Sequence, residues 1–200
     1  MGNASPVRLL RSELAVRTIE ALNRGNWANP DVLLVECSNG RRVVVKDYKP
    51  RSALVRWTYG RFITRREARA YRLLEGSPAV PTLLGEVDAL ALVIEYRPGT
   101  RMSRDLAGKL PAAFMGELRN AVSSMHARGV VHLDLRHRSN VLADASGHPV
   151  LIDFASAVFF KPSGIWFRWL GPSLVKVDWG AVRKWEVRVA PATAKPGSSS

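Results

Sequence analysis

Apolar positions at two different spacings divide the start of the chain into a helix followed by a hairpin. Leucine and isoleucine residues recur at helical spacing over residues 7–24, which predicts an amphipathic helix. Two apolar runs then predict strands at about 32–37 and 41–47. The Asn39-Gly40 pair between these runs is typical of a tight turn. We therefore expect one helix and then an antiparallel pair of strands.

A second helix and two further strands are predicted before the middle of the chain. Apolar residues share one helical face over residues 64–75, and Thr64 is the expected cap at the start of that helix. Residues 80–87 and 89–96 have the composition of strands. Because proline cannot donate a backbone hydrogen bond, Pro81 places the first of these strands at the edge of the sheet.

The second half of the chain combines one helix, short strands and an aromatic segment. Residues 111–128 are expected to form a helix with an apolar stripe that packs in a core. The runs VVHLDL, NVLAD and HPVLIDFASAV then alternate apolar strands with polar loops. Residues 159–185 combine tryptophan and phenylalanine with basic residues, and either pack as core or present a surface to an anionic partner.

These elements predict an α+β protein of two lobes with a boundary at Pro98-Gly99. The first lobe, residues 1–98, contains the N-terminal helix, the sheet and the inserted helix. The second lobe, residues 99–190, is small and mainly helical. A tail rich in Ser, Pro, Ala and Gly, residues 191–200, is predicted to be disordered.

The charge of the chain narrows the choice of partners. Thirty Lys and Arg against seventeen Asp and Glu give a net charge of +13. Such an excess favours an anionic partner, whether nucleic acid, a phosphorylated molecule or an acidic membrane, although a merely solvated basic surface remains the alternative. No zinc-finger, helix-turn-helix or RNA-binding aromatic pattern accompanies the charge, so nucleic acid is the least favoured of these partners.

The single cysteine and the distribution of apolar residues bear on the compartment. Cys37 alone can form neither an intramolecular disulfide nor a cysteine-based zinc site. The longest stretch without charged residues, residues 76–85, is far shorter than a membrane span. We therefore expect a cytoplasmic protein, with peripheral contact at the inner face of the membrane as an addition.

Polar residues that could bind a divalent cation follow the short strands of the second half. His132, Asp134 and Asn140 lie in the segment HLDLRHRSN, and Asp153 ends the next apolar run. Carboxylate and carboxamide oxygens without any thiolate favour magnesium or manganese over zinc. His132 is expected to be a packed, hydrogen-bonded residue, and Asp178 a surface residue.

The segments HLDLRHRSNVL and LIDFASA resemble the catalytic and metal-binding loops of the protein-kinase-like phosphotransferases. Lys46 on the second hairpin strand and Glu67 on the following helix stand in the order of that family's lysine and glutamate. The resemblance covers residues 32 to 156. It implies a two-lobed protein-kinase-like fold with a β-rich N-lobe and a shortened helical C-lobe.

The resemblance also assigns roles. ATP would bind with its α- and β-phosphates on Lys46, held by Glu67, and Asp134 would accept the proton of the acceptor hydroxyl. Mg²⁺ would bind to Asn140 and Asp153. The backbone of Glu95 and Arg97 would contact the adenine edge, with Ile94 lining the pocket.

Four departures separate the chain from standard protein kinases. A Gly-rich loop is absent, since residues 24–30 contain one glycine, and the catalytic loop from Asp134 to Asn140 is one residue longer than usual. Ala155 replaces a glycine, and only a short segment follows it. The truncation is similar to the RIO-type kinases and the bacterial lipopolysaccharide-core sugar kinases.

The function implied is an ATP-dependent kinase that phosphorylates a protein Ser or Thr or a sugar of an envelope glycolipid. The alternative is a pseudokinase, a nucleotide-binding or scaffold module without turnover. The missing Gly-rich loop and Ala155 favour the alternative, whereas the complete set of Lys, Glu, Asp, Asn and Asp favours the enzyme.

Overall fold

The computed structural model describes residues 6–161 and 164–189. Each half of the described chain contains both helices and strands, which confirms the α+β class. The predicted disordered tail, residues 191–200, lies outside the described residues.

The chain divides into two compact units that are discontinuous in sequence. The first unit is Met1–Arg97 with Asp153–Ala157, and the second is Pro98–Ile152 with Val158–Ser200. The five residues 153–157, which include the predicted metal ligand, therefore group with the β-rich unit and not with their neighbours in sequence.

The first unit is built on five antiparallel strands. Their bounds are β1 Thr18–Asn23, β2 Asp31–Glu36, β3 Arg42–Asp47, β4 Leu83–Asp88 and β5 Ala91–Glu95. The order across the sheet is β1-β2-β3-β5-β4. The hairpin β2–β3 is confirmed, and Gly40 in its turn has a φ of +75°, which glycine adopts without strain. The predicted edge position is also confirmed, because β4 is the last strand of this sheet. Pro81, however, lies two residues before β4 and is not part of the strand.

The helix predicted over residues 7–24 is confirmed only over residues 11–17 and is wrong on either side of them. A short helical segment, Arg11–Glu13 followed by α1 Leu14–Arg17, ends where β1 begins. β1 pairs with β2 through two register shifts. Leu9, which precedes the helical segment, and Leu14, which begins α1, both pack into the core. The β-branched Thr18 and Ile19 belong to a strand that covers the open edge of β2.

The inserted helix begins earlier than its sequence pattern predicts. It runs through α2 Ala53–Val55, a wider π-type turn Arg56–Gly60, and α3 Arg61–Leu73. The Ser52 side chain accepts the N–H of Val55 and caps the start. The predicted cap Thr64 is wrong: it is buried within α3 and donates to the carbonyl oxygen of Gly60 at 2.8 Å.

Alternation along the strands gives the sheet two apolar faces. On one face Val43, Val45 and Val93 pack with Leu9 and Leu14. The neighbouring positions of β3 and β5 point to the opposite face, since successive strand residues alternate. Lys46 lies on this second face, on the same strand as two core valines.

The second unit contains two helices and short strands. Their bounds are β6 Gly99–Arg101, α4 Phe114–Ala127, β7 Val130–Val131, β8 Val141–Asp144, β9 Pro149–Leu151, β10 Val158–Phe159 and α5 Ile165–Val189. The stripe predicted for the first helix is buried, at Phe114, Leu118, Val122 and Met125. Strands β6, β8 and β9 form one small sheet, and β7 pairs with β10.

The aromatic segment forms most of α5 and is not uniform in burial. Trp185 is buried and Trp179 packs edge-on against His126, with ring centroids 5.9 Å apart. Trp169 is 79 % exposed. Core packing thus holds for Trp185, whereas Trp169 lies on the surface. Within residues 6–161 and 164–189, every helix is too short or too polar to cross a bilayer.

Candidate active site

Lys46 of β3 contacts two carboxylates of the first unit. Its Nζ donates to Oε1 of Glu67 at 2.7 Å and to Oδ1 of Asp153 at 2.7 Å. Both Lys46 and Glu67 are buried, whereas the Asp153 side chain is about half exposed. The pairing of lysine with the helix glutamate, expected from the sequence, is present, and the predicted metal ligand joins the same cluster.

The charges of this cluster are strongly coupled. Burial by itself would lower the pKa of Lys46, but the negative charges of Asp153 and Glu67 outweigh it and hold that pKa well above its ordinary value. Burial raises the pKa of Glu67, and the lysine works against that rise. Lys46 is therefore a fixed cation at neutral pH, with one carboxylate behind it and one partly solvated carboxylate beside it.

The backbone around Asp153 is held in an uncommon conformation. Asp153 has a φ of +66°, in the left-handed region where residues other than glycine are rare. Arg66 of α3 donates to the carbonyl oxygens of Ser156 and Ala157, at 3.2 and 2.5 Å. Phe154 packs edge-on against Tyr71, at 5.2 Å between centroids. The helix that carries Glu67 therefore also fixes the segment that carries Asp153.

Ala155 fits the conformation of this loop. It lies in the short helical turn Phe154–Ser156, and the positive φ of the loop falls on Asp153. The glycine that the family's pattern has at this position is therefore not required by the backbone of this chain.

The segment predicted to contact adenine ends the sheet of the first unit. The Glu95 N–H donates to the carbonyl oxygen of Thr82 at 2.9 Å, so that donor is used within the sheet. The Glu95 carboxylate accepts the N–H of Thr82 and lies 3.5 Å from Nε of Arg97. Arg97 also donates to the carbonyl oxygen of Pro78. The Glu95 N–H is thus not available to a ligand at this segment.

Residues 24–30 occupy the place of a Gly-rich loop. This loop is held against the buried Asp31. Asp31 accepts the N–H of Gly25 at 2.9 Å and pairs with Arg51. The Arg51 guanidinium also donates to the carbonyl oxygens of Gly25 and Asn26. The Gly25 amide, which could otherwise approach a phosphate, is thus turned toward the chain's own carboxylate.

The predicted catalytic loop lies in the second unit between β7 and β8. The Asn140 side chain donates through Nδ2 to the backbone carbonyl and to Oδ2 of Asp134, each at 2.9 Å. Two turns, His137 N–H to Asp134 O and Asn140 N–H to His137 O, take up the length of the loop. The extra residue therefore leaves Asp134 and Asn140 in direct contact.

The expectation that Asp178 is a surface residue is wrong. Asp178 is fully buried and accepts the backbone N–H groups of His132 and Leu133, both at 2.8 Å. It also lies 2.9 Å from Nε2 of His126. His132 is buried, with Nε2 at 3.0 Å from the carbonyl oxygen of Ile152, as expected for a packed histidine.

Helix α5 holds the rest of the catalytic loop through two more residues that the sequence analysis missed. Trp185 donates its indole N–H to the carbonyl oxygen of Leu135 at 2.8 Å, and Lys184 donates to the carbonyl oxygen of Arg136. Asp178 and Trp185 are seven residues apart, so they share one face of α5. This spacing in the segment DWGAVRKWEVR was the available signal.

Each unit contains an oxygen donor of the kind that hard cations prefer. Asp153 offers a partly exposed carboxylate, and Asn140 offers a carboxamide oxygen that now accepts from Ser139 at 2.9 Å. No group of three or more His, Cys, Asp or Glu side chains able to hold a metal occurs in the described part of the chain. Mg²⁺ fits this chemistry, because it is commonly bound by one or two protein carboxylates together with substrate phosphates.

Sequence comparisons find distant relatives among protein kinases. The chain is 28 % identical over 163 residues to serine/threonine-protein kinase C of Synechocystis, covering 75 % of this chain and 30 % of the relative. It is 28 % identical over 142 residues to serine/threonine-protein kinase PkaA of Streptomyces coelicolor, covering 67 % of this chain and 23 % of that one. The chain thus spans less than a third of the length of these curated relatives. No protein-family model matches it.

Comparison with solved structures identifies the fold. The Rio2 kinase of Chaetomium thermophilum superimposes with a TM-score of 0.65 and 19 % identity, covering 92 % of this chain and 63 % of that one. Its ADP/Mg²⁺-phosphoaspartate complex gives a TM-score of 0.62 at 18 % identity, covering 92 % of this chain and 61 % of that one. The chain therefore has a protein-kinase-like fold of the RIO-like type.

Proposed function

We propose that this chain is an ATP- and Mg²⁺-dependent phosphotransferase that moves the γ-phosphate of ATP to a hydroxyl group. The observation that carries the proposal is the buried Lys46 cation, whose Nζ lies 2.7 Å from both Glu67 and Asp153. Placing an ammonium group away from water is unfavourable unless its charge is used or paired. The fold and the kinase relatives agree with a role for that charge in binding phosphate.

Each residue then has one task. Lys46 binds the α- and β-phosphates, and Glu67 holds the lysine from the buried side. Asp134 accepts the proton of the acceptor hydroxyl as the oxygen attacks the γ-phosphorus, and the bond to the leaving β-phosphate oxygen breaks. Asn140 and Asp153 bind Mg²⁺, which supplies positive charge to the phosphates when it is present. The backbone of Glu95 and Arg97 positions adenine.

The acceptor is a protein Ser or Thr, or a sugar of an envelope glycolipid. The names of the relatives support the first choice. The resemblance of the sequence to the lipopolysaccharide-core sugar kinases supports the second. Use of ATP agrees with a cytoplasmic location. Transfer of labelled phosphate to a generic protein acceptor and, in parallel, to extracted glycolipid distinguishes the two acceptors.

Phosphate transfer from labelled ATP tests the enzyme. Asp134→Ala is expected to lower the rate about a hundredfold or more, because it removes the proton acceptor. Asp105→Ala is the matched control, since Asp105 is exposed and lies in the same unit away from the loop. Equal rates for wild type and Asp134→Ala would show that the assignment of the catalytic residue is wrong.

A pseudokinase is the second candidate, favoured by the loop of residues 24–30. Its Gly25 amide is bound to Asp31 instead of being open to phosphate. Thermal unfolding with ATP separates the candidates. Stabilisation that requires Mg²⁺, is lost in Asp153→Ala and comes without phosphate transfer would establish a nucleotide-binding module; stabilisation with transfer would establish the enzyme.

A further inference from the structure

The helix that carries Glu67 exposes large apolar side chains on its outer side. Leu54, Trp57 and Phe62 are 72, 69 and 60 % exposed. Arg61 stacks over the Trp57 ring at 5.0 Å. We call Leu54, Trp57, Arg61 and Phe62 together the Trp57 surface. All four belong to the first unit.

These side chains are additional to a complete core face. The same helical segment buries Val55, Ile63, Ala68 and Tyr71 against the rest of the unit. An amphipathic helix normally presents charged and polar residues opposite such a face. Apolar residues on the outer side as well are typical of a surface that contacts another apolar phase.

Trp57 lies in the wider turn Arg56–Gly60, and Phe62 follows two residues after that turn. Because the hydrogen bonds of a π-type turn join residues five apart instead of four, side chains five apart lie closer to one side of the helix there than in a regular α-helix. Arg66 lies over the Phe62 ring at 5.7 Å, as Arg61 does over Trp57. Each aromatic ring is thus accompanied by a guanidinium group four residues later.

A small pocket beside Trp57 is lined by cations. Its volume is about 280 Å³, and Lys49, Arg56 and Arg61 contribute to its wall. The acidic residue in the wall, Asp88, is held by Arg11, whose Nε lies 2.6 Å from the carboxylate. Three cationic side chains and one carboxylate paired with Arg11 thus line the pocket beside Trp57, and its volume admits a phosphate group with room to spare.

The segment that carries the Trp57 surface is strongly basic. Residues 49–74 contain eight Lys and Arg and a single acidic residue, Glu67, which is buried against Lys46. Exposed Trp, Phe and Leu flanked by Arg, next to a pocket lined by Lys49, Arg56 and Arg61, form the pattern of a helix that lies in a membrane interface. An acidic protein would satisfy the charge but would leave the three apolar side chains without an equally suitable environment.

We propose that the Trp57 surface binds membranes containing anionic phospholipids, with Trp57 and Phe62 inserted at the headgroup level and a lipid phosphate in the pocket of Lys49, Arg56 and Arg61. This contact is independent of phosphate transfer by the active site. It also differs in position from the aromatic part of α5.

Sedimentation of the full chain with vesicles tests the apolar part. The chain is expected to bind vesicles of phosphatidylcholine with phosphatidylglycerol and not vesicles of phosphatidylcholine alone. Trp57→Ala combined with Phe62→Ala should weaken binding at least about tenfold, given the apolar area removed. Trp169→Ala is the matched control, because Trp169 is 79 % exposed but lies on α5. Equal binding by both variants would overturn the proposal.

The test of the basic residues of the Trp57 surface requires a control for net charge. Any chain with a net charge of +13 is attracted to an anionic surface. Arg56→Gln with Arg61→Gln removes two charges from the Trp57 surface and its pocket. Lys176→Gln with Arg183→Gln removes two exposed charges from α5. The first pair should weaken vesicle binding about tenfold more than the second. Equal weakening would mean that binding reports only net charge, and would overturn the site.

Quenching of tryptophan fluorescence by brominated phospholipid tests insertion directly. Trp57→Phe should keep binding but lose most of the quenching, whereas Trp169→Phe should lose little. Loss of quenching in Trp169→Phe instead would place the contact on α5 and overturn the proposal. Binding to soluble polyglutamate that is sensitive to the Trp57 and Phe62 substitutions, without binding to vesicles, would overturn it in favour of an acidic protein partner.

Discussion

Asp178 accepts the backbone N–H of Leu133 at 2.8 Å, and Leu133 has a φ of +68°. A branched residue in the left-handed region costs about 1–2 kcal/mol, so the surroundings must hold it there. The buried carboxylate does so across 45 residues of sequence. The backbone immediately before Asp134 is therefore shaped by α5 and not by the loop alone.

Replacing Asp178 should destabilise the protein more than its position near the end of the chain suggests. Asp178→Ala removes the acceptor of the His132 and Leu133 N–H groups and the buried partner of His126 Nε2, which should lower the free energy of unfolding by about 2–4 kcal/mol. Chemical denaturation measures the change. Asp105→Ala, at an exposed aspartate, is the control. An Asp178→Ala variant as stable as this control would show that the contacts of Asp178 with His126, His132 and Leu133 contribute little to stability.

The Lys46–Glu67 pair should behave as a buried ion pair whose halves depend on each other. Lys46→Met leaves the Glu67 carboxylate buried without its cation and should lower the free energy of unfolding by about 3–5 kcal/mol. Adding Glu67→Leu removes the stranded charge, so the double variant should recover part of that loss. Denaturation of the two single variants and the double variant gives the coupling. If the loss in free energy of unfolding of the double variant equalled the sum of the losses of the two single variants, the two residues would not be coupled.

The parts of the fold that the sequence predicts well are those determined by neighbouring residues. The β2–β3 hairpin follows from two apolar runs and an Asn-Gly turn, and the stripe of α4 follows from helical spacing. Residues 18–23 were predicted as helix because their spacing continues that of Leu9 and Leu14. They form a strand because β2 offers an unpaired edge, and a local pattern does not contain that partner.

The candidate site also contains residues that the sequence reveals and residues that it does not. Lys46 and Glu67 could be paired from sequence because a family resemblance fixes their order, and the ion pair is present. Asp178 was harder to recognise, because two of its three partners are backbone N–H groups, which leave no trace in residue identity, and its spacing to Trp185 was the available signal. Its burial follows from the packing of α5, and one aspartate within a basic segment is indistinguishable by composition from a solvated residue.

Two glycines should respond to alanine in opposite directions. At Gly25 a Cβ atom would lie 2.1 Å from the carbonyl oxygen of Asn29 and 2.4 Å from that of Pro30. Gly25→Ala should therefore open the loop of residues 24–30 and cost about 1–3 kcal/mol. Gly180 lies exposed in α5, with no atom within 4 Å of the added Cβ.

Gly180→Ala should accordingly raise the free energy of unfolding by about 0.5–1 kcal/mol, because glycine loses more backbone freedom on folding than alanine. Thermal or chemical unfolding of both variants checks the prediction. If Gly25→Ala were as stable as wild type, the closed arrangement of Gly25 with Asp31 would not be the one that forms in solution.

The stability of the second unit should depend on pH through His148 and Glu117. His148 Nδ1 lies 2.7 Å from the Glu117 carboxylate, and this hydrogen bond together with the negative charge raises the pKa of His148 above its ordinary 6.5. Because the folded state binds the proton more tightly than the unfolded state, the stabilisation is fully present below pH 6.5 and is lost as the pH rises through the raised pKa.

NMR titration of His148 should show its pKa returning toward the ordinary value in Glu117→Gln and staying raised in the control Glu86→Gln. The difference in free energy of unfolding between wild type and Glu117→Gln should disappear at alkaline pH; a difference that persists there would mean that Glu117 stabilises the unit by some contact other than the histidine cation.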